Sequence, residues 1–195
     1  MNTNQTLNRA IISFVIESNG IDITDNTEVS SISIQLNKNG MHEATFTIIS
    51  NNYNSFLFKN KIAISLGYDS TIKKVFTGNV VQKKFVANSN TGDILEITCK
   101  TTSNNSGNSP NNSTQHQLTL GIDIQETTIN ISDNEIHGKI EVGGSSNYNI
   151  NDTIRLKGFN NHFFETSNID VSVSSILHEV SPGNWTTTLY IVKNT

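Results

Sequence analysis

The chain has 195 residues, a formal net charge of −4 at pH 7 and a single cysteine. This length can bury one large core or two small ones. An acidic chain whose adjacent lysines occur only at 73–74 and 83–84 lacks the clustered basic surface that nucleic-acid binding requires. The lone Cys99 excludes an intramolecular disulfide framework, and its apolar surroundings indicate a buried thiol.

The chain carries no signal for a membrane or for secretion. No segment approaches the roughly 20 apolar residues of a membrane span. Residues 1–9 are polar where a secretory signal needs an apolar stretch. The sequence therefore predicts folding in the cytoplasm and no stable membrane insertion.

Alternation of apolar and polar residues predicts the strands of the first half. The pattern covers residues 12–16, 29–36, 44–48, 61–68, 74–85 and 94–101. Asn19-Gly20 and Asn39-Gly40 predict type I′ hairpin turns, because both residue types accept a positive φ. Residues 51–59 suit either one helical turn or a packed loop, and residues 88–92 suit a turn. Residues 1–101 are thus predicted to form a first six-strand barrel.

The second half repeats the pattern after a polar interval. Residues 102–117 consist almost wholly of Ser, Asn, Thr, Gly, Gln and Pro, a composition typical of a flexible linker or long loop. Strands are then predicted at residues 118–124, 128–131, 136–142, 152–159, 169–180 and 185–192. Residues 118–195 are predicted to form a second barrel, and closure would remove the exposed sheet edges.

Two distant segments resemble each other. Residues 61–68 and residues 152–159 each form an alternating strand that ends in glycine and an aromatic residue, and each precedes another strand. Such internal similarity indicates two copies of one supersecondary unit. The predicted fold is therefore all-β, with two similar antiparallel β-barrels in tandem joined by a polar linker.

No grouping typical of an active site or metal site is present in the sequence. Cys99 has no CxxC partner, the acidic residues occur singly, and residues 143–146 lack the lysine and helix of a phosphate-binding loop. No two histidines have the spacing of a metal pair; they are His42, His116, His137, His162 and His178. We therefore expect no catalytic residue, no metal site and no cofactor.

The densest stretch, residues 171–191, predicts a hairpin around Ser181-Pro182-Gly183-Asn184. His178 and Trp185 flank this turn, where cross-strand packing is the preferred interpretation. A catalytic His178 would need a partner that the sequence does not offer.

Several motifs in order carry a family resemblance. The first half contains Phe76-x-Gly78-x-Val80 after Gly67-Tyr68, then Leu95-x-Ile97-x-Cys99. The second half contains Gly138-Lys139-x-x-Val142-x-Gly144, Asn151-Asp152-Thr153-Ile154-x-Leu156-x-Gly158-Phe159, Val173-Ser174-x-Ile176-x-His178-Glu179 and Gly183-Asn184-Trp185-x-Thr187. Together they resemble the baseplate hub proteins of contractile tails, namely phage late control protein D and the VgrG-type spikes of type VI secretion. The family's Phe-Asn-Gly turn is replaced by Phe163-Phe164-Glu165-Thr166.

The resemblance implies a structural role and no enzymatic activity. In that family three chains, each with two similar barrels, form a pseudo-sixfold ring that joins a hexameric tube to a trimeric spike. It implies a homotrimer that contacts a hexameric tube protein, a separate spike or needle protein and other baseplate components. The separate spike is expected because the chain ends at Thr195 without the needle domains of full spikes. Assembly would begin in the cytoplasm and end in a virion tail or injection particle.

Two other interpretations remain open. A tail tube or tube-initiator protein would share this type of barrel and would form a hexamer. A carbohydrate-binding or adhesin module would also be all-β, but it would normally have a signal peptide and several exposed aromatic residues, and only one tryptophan is present.

Overall fold

The computed structural model describes residues 10–49, 60–87, 93–101, 113–132, 135–159 and 168–194. These residues form strands and one short 3-10 helix at Thr24–Asn26, so the predicted all-β class is confirmed. The strands are β1 (Ile12–Ser18), β2 (Ile21–Asp22), β3 (Val29–Asn37), β4 (Glu43–Ile49), β5 (Lys61–Tyr68), β6 (Thr71–Val86), β7 (Ile94–Lys100), β8 (Gln115–Thr119), β9 (Ile124–Ser132), β10 (Glu135–Gly143), β11 (Thr153–Lys157), β12 (Asn168–Ser181) and β13 (Asn184–Asn194). The features predicted at residues 51–59, 88–92, 102–112 and 163–166 lie outside the described residues.

Alternation in the sequence places one face of each strand in a core. In β4, Ala44, Phe46 and Ile48 are buried while the residues between them are partly exposed. Successive strand side chains point to opposite faces, so a period of two produces one apolar face.

Two predicted turns differ in form. Asn19 and Gly20 have φ values of 51° and 81°, as a two-residue type I′ hairpin between β1 and β2 requires. At the second site only Gly40 has positive φ, at 76°, and the connection from β3 to β4 spans residues 38–42. The Asn39-Gly40 hairpin therefore forms with a longer loop than predicted.

The strands lie on one continuous sheet path, in the order β2-β1-β5-β6-β7-β4-β3-β12-β13-β10-β9, with β11 between β12 and β8. All pairings between the described strands are antiparallel except that between β11 and β8, and the isolated bridge between Leu120 and Ile124 is also parallel. We call β1–β7 the first unit and β8–β13 the second unit. The two units join where β3 pairs with β12.

The two units share one strand order. Leaving out the short β2, the first unit has the order β1-β5-β6-β7-β4-β3 and the second has β8-β11-β12-β13-β10-β9. If the strands of each unit are numbered in chain order, both sheets run first, fourth, fifth, sixth, third and second. One difference lies in the first strand, since β1 is antiparallel to β5 whereas β8 is parallel to β11.

Two of the three bulges in the described first unit recur at matching places in the second, and the third, at Val75 of β6, has no counterpart in the pairing of β11 with β12. A bulge at Val81 in β6 corresponds to one at Ser174 in β12. The bulge at Ser30 in β3 likewise corresponds to one at Gln125 in β9. Bulges are specific features of a strand rather than defects, so the two that recur align β6 with β12 and β3 with β9.

The units bury separate hydrophobic cores. The first core is built on Phe46 and Ile97 with their neighbours, and it also contains Val180 and Trp185 from the second unit. The second core includes Ile140, Ile176 and Leu189.

Neither unit closes as a separate barrel among the described strands. β3 pairs with β12 rather than with β1. In the second unit β8 and β9 meet only at the bridge between Leu120 and Ile124. Strand β8 begins at Gln115, so residues 115–117 of the segment predicted as linker lie in a strand.

Candidate functional site: the junction of the two units

The junction is formed by one long strand that changes partner along its length. The first part of β12 pairs with β11 as far as Ser172, and residues 175–180 pair with residues 32–37 of β3. The bulged Ser174 lies at this change, and its hydroxyl donates a hydrogen bond to the Tyr190 carbonyl oxygen at 3.0 Å. A bulge increases local twist, which suits a strand that changes its pairing partner at that point.

The end of the β12–β13 hairpin enters the first core. Its turn contains Gly183 with φ of 75°, and it brings Trp185 opposite Val180. The indole of Trp185 lies 5.1 Å from the ring of Tyr68, measured between centroids. Its Nε1 is buried and has no hydrogen-bond partner among the described groups. Packing rather than hydrogen bonding therefore holds this side chain.

Gly144 makes room for the indole. A Cβ added at this glycine would lie 2.2 Å from Trp185 atoms, well inside van der Waals contact. The Gly144 N–H also donates to the Trp185 carbonyl oxygen at 2.8 Å. The glycine of the sequence motif is thus required by close packing.

Polar contacts accompany this packing. The Lys73 ammonium donates to the Ser146 carbonyl oxygen at 3.0 Å, which links the first unit to the second. The Thr187 hydroxyl lies 3.1 Å from His178 Nδ1 and accepts a hydrogen bond from the Ser145 N–H at 3.0 Å.

His178 is fully enclosed at the junction. Burial, followed by the nearby charge of Lys73, lowers the pKa of its imidazole to about 4. The rings of His178 and Trp185 lie 6.1 Å apart and tilted. They are diagonal neighbours, because Thr187 is the residue directly opposite His178. The histidine is therefore a neutral packing residue at neutral pH.

A second buried polar cluster lies around Asp152, where β8 meets β11. Its Oδ1 accepts from the Thr114 N–H at 2.9 Å, and its Oδ2 accepts from the Asn149 N–H at 2.8 Å. The same Oδ2 lies 2.9 Å from His116 Nε2, and the His116 ring packs against Tyr148. This carboxylate anchors β8 and the 147–152 turn, because every contact is to a neighbouring segment of the fold.

Other candidate residues are dispersed. His42 Nδ1 accepts from the Asn37 N–H at 3.0 Å, and burial lowers the pKa of His42. Burial raises the pKa of the Cys99 thiol to about 12, which makes it unreactive at neutral pH. His137 is exposed near Glu135, and His162 lies outside the described residues.

The described ranges bring no three His, Cys, Asp or Glu side chains together as a metal site would need. None of the helices within them has the length and apolar character to cross a bilayer.

Sequence reasoning placed His178 and Trp185 beside one turn but missed their role between the units. It also missed the pairing of His116 with Asp152, because His116 lies in the segment interpreted as linker. The sequence offered one hint of a special role for Asp152, which is that this residue begins the segment 152–159 that resembles residues 61–68.

A family model described as "Alg8 N-terminal domain" matches residues 8–117, more than half of the chain. The chain belongs to this family. The match spans the first unit and reaches the start of β8. No curated protein matches the chain by sequence.

Solved structures share the fold across both units. A tail protein from Neisseria meningitidis MC58 has a TM-score of 0.63 at 7% identity, covering 94% of this chain and 97% of that chain. The 43 kDa tail protein of prophage MuSo2 from Shewanella oneidensis has a TM-score of 0.60 at 10% identity, covering 91% and 95%.

The c3393 protein of E. coli, described as a component of the type VI secretion system with structural similarity to T4 bacteriophage tail proteins gp27 and gp5, has a TM-score of 0.52 at 7% identity, covering 85% and 73%. At these identities the comparisons show a shared fold.

Proposed function

We propose that this chain is a structural hub subunit of a contractile tail or injection machine. Three copies form a ring of pseudo-sixfold symmetry, which contacts a hexameric tube on one face and a threefold spike on the other. The observation that carries the proposal is the repeated strand order of the two units, with bulges at matching positions.

The repeat would allow a threefold assembly to contact a sixfold tube. A ring of three chains with two similar units each presents six similar surfaces to a sixfold tube while keeping true threefold symmetry for a spike. The contact between β3 and β12 is heterologous, because it joins different surfaces of the two units. Heterologous contacts generate closed rings when the rotation between units closes.

The fold shared with tail proteins over 91% or more of this chain supports the same assignment. The contacts of the chain would be with its own copies, a tube protein, a spike or needle protein and other baseplate components. The proposed role is non-enzymatic, and the buried His178 and Asp152 both act within the fold. The protein would function as part of a virion tail or an injection particle.

Native mass spectrometry of the purified chain tests the proposal. We expect a trimer, and electron microscopy of the same sample should show a ring of six similar lobes. A hexamer of whole chains would support a tube subunit instead. A strictly monomeric protein at micromolar concentration would contradict the hub.

A further inference from the structure

The pairing of β12 with β3 has a counterpart in which the described strands are not paired. The strand order and the bulges make β12 equivalent to β6 and β3 equivalent to β9. A contact equivalent to β12–β3 would therefore join β6 to β9. Within one chain the described parts of these strands do not pair, since β6 pairs with β5 and β7 while β9 pairs with β10.

Strand β9 presents a long edge. It is nine residues long and, on its outer side, the described residues pair with it only at the bridge between Leu120 and Ile124. The strand contains no lysine, arginine or proline, the residues that commonly protect exposed edges. Ile131 is 50% exposed on this strand. Such an edge is a template for a strand of another chain.

The second half of β6 has matching properties. Strand β5 accompanies β6 only from Thr71 to Asn79, and beyond the bulge the described strand beside it is β7. Apolar side chains are exposed along this half, namely Val81, Phe85 and Val86. Their counterparts in β12 include His178, which is buried and lies opposite Ile34 of β3.

We propose that the edge of β9 pairs with residues 82–87 of β6 in the next copy of the chain, repeating the β12–β3 contact around the ring. The occupant of the edge is a second copy because β6 of the chain itself is the strand equivalent to β12. The inference rests on the proposed trimeric ring and names the contact that closes it.

The register of the β12–β3 pairing also predicts the register of the proposed contact between β6 and β9. Ile176 lies opposite Leu36, His178 opposite Ile34 and Glu179 opposite Ser33. Aligning the bulges transfers these pairs to Lys83 with Ile131, Phe85 with Ile129 and Val86 with Thr128. The half-exposed Phe85 and Ile131 would then both be covered in the assembly.

Cysteine cross-linking tests the two edges. The double variant V86C/T128C should give covalent multimers up to the trimer on a non-reducing gel after oxidation, whereas each single variant should remain monomeric. The native thiol does not interfere, because burial raises the pKa of Cys99 to about 12. Efficient dimerisation of T128C alone would indicate that β9 pairs with itself, and would overturn the proposal.

A charge test examines the register independently of disulfide geometry. Ile131→Lys places a second lysine opposite Lys83 of the next copy. We expect the resulting repulsion to raise the trimer dissociation constant by about tenfold or more. The double variant K83E/I131K should recover most of that loss. Ile72→Lys is the matched control, since Ile72 is similarly exposed but lies in the first half of β6.

The outcomes separate the two proposals. A monomeric wild-type protein would overturn both the trimeric ring and the strand contact. A wild-type trimer that gives no cross-link and is unaffected by Ile131→Lys would overturn the strand contact alone. Equal weakening by Ile131→Lys and Ile72→Lys would also overturn it.

Discussion

The indole of Trp185 packs among residues of the first unit although its strand belongs to the second. We expect Trp185→Ala to lower the free energy of unfolding by about 3 to 5 kcal/mol, because it removes a large buried ring and leaves a cavity. Trp185→Phe should cost clearly less, since it keeps a ring and removes the unpartnered Nε1. Urea unfolding measures both. Equal losses for the two variants would contradict a packing role.

His178 makes stability depend on pH. Its pKa is about 4 in the folded protein and near 6.5 when unfolded, so between these values the unfolded chain binds more protons. The free energy of unfolding should therefore fall as pH decreases from 6.5 towards 4, by about 3 kcal/mol in all.

Urea titrations at several pH values measure this slope. In His178→Gln the slope should be shallower, with a remainder from His42, whose pKa burial also lowers. An unchanged slope in that variant would show that His178 is not the responsible group.

Removing the buried carboxylate of Asp152 should lower the free energy of unfolding more than removing an exposed carboxylate does. Asp152→Asn replaces an acceptor oxygen that serves the Asn149 N–H and His116, and we expect a loss of about 1 to 3 kcal/mol in unfolding free energy. Amide exchange at Thr114 and Asn149 should accelerate. Asp170→Asn, which alters an exposed pair with Arg155, is the control, and a larger effect there would contradict the assignment.

At the scale of elements, two adjacent glycines at the end of β10 have different surroundings. A Cβ on Gly144 would overlap Trp185, whereas a Cβ on Gly143 would meet only Gln125 at 3.9 Å. Gly144→Ala should therefore destabilise the protein by about 1 to 3 kcal/mol, while Gly143→Ala should have little effect. Thermal unfolding of the pair checks this, and similar melting temperatures would contradict the close packing.

The strands were largely predictable, and their partners were not. Alternation located β4 and β13, because a half-buried strand must show a period of two. It could not indicate that β3 pairs with β12, since alternation defines the faces of a strand and not its neighbours. The start of β8 was missed because Gln115 and Gln117 are exposed, so this part of the strand lacks an apolar alternation.

The candidate site was predictable only in part. The turn at Pro182 and Gly183 placed His178 and Trp185 close together, as the structure has them. Their position between two units depends on contacts across about 140 residues of sequence, such as that between Ile34 and His178. Local patterns contain no information on such contacts.

At the scale of the whole molecule, the shared junction should couple the two units. We expect the full chain to unfold in a single calorimetric transition, because the first core includes Val180 and Trp185 from the second unit. Trp185→Ala should lower the melting temperature of this one transition, because the indole belongs to the core of one unit and to a strand of the other. Two well-resolved transitions in the wild-type protein would contradict the coupling.

The position of Trp185 after every strand of the first unit also constrains the order in which the first core can form during synthesis. A ribosome releases the first unit before the hairpin that completes its core has been made. The nascent first unit must therefore wait, with apolar surface uncovered, until β13 emerges and the hairpin docks. In the proposed ring, only a chain synthesised past β13 would have a complete first core to present to its neighbours, so chains cut short before that strand would be excluded.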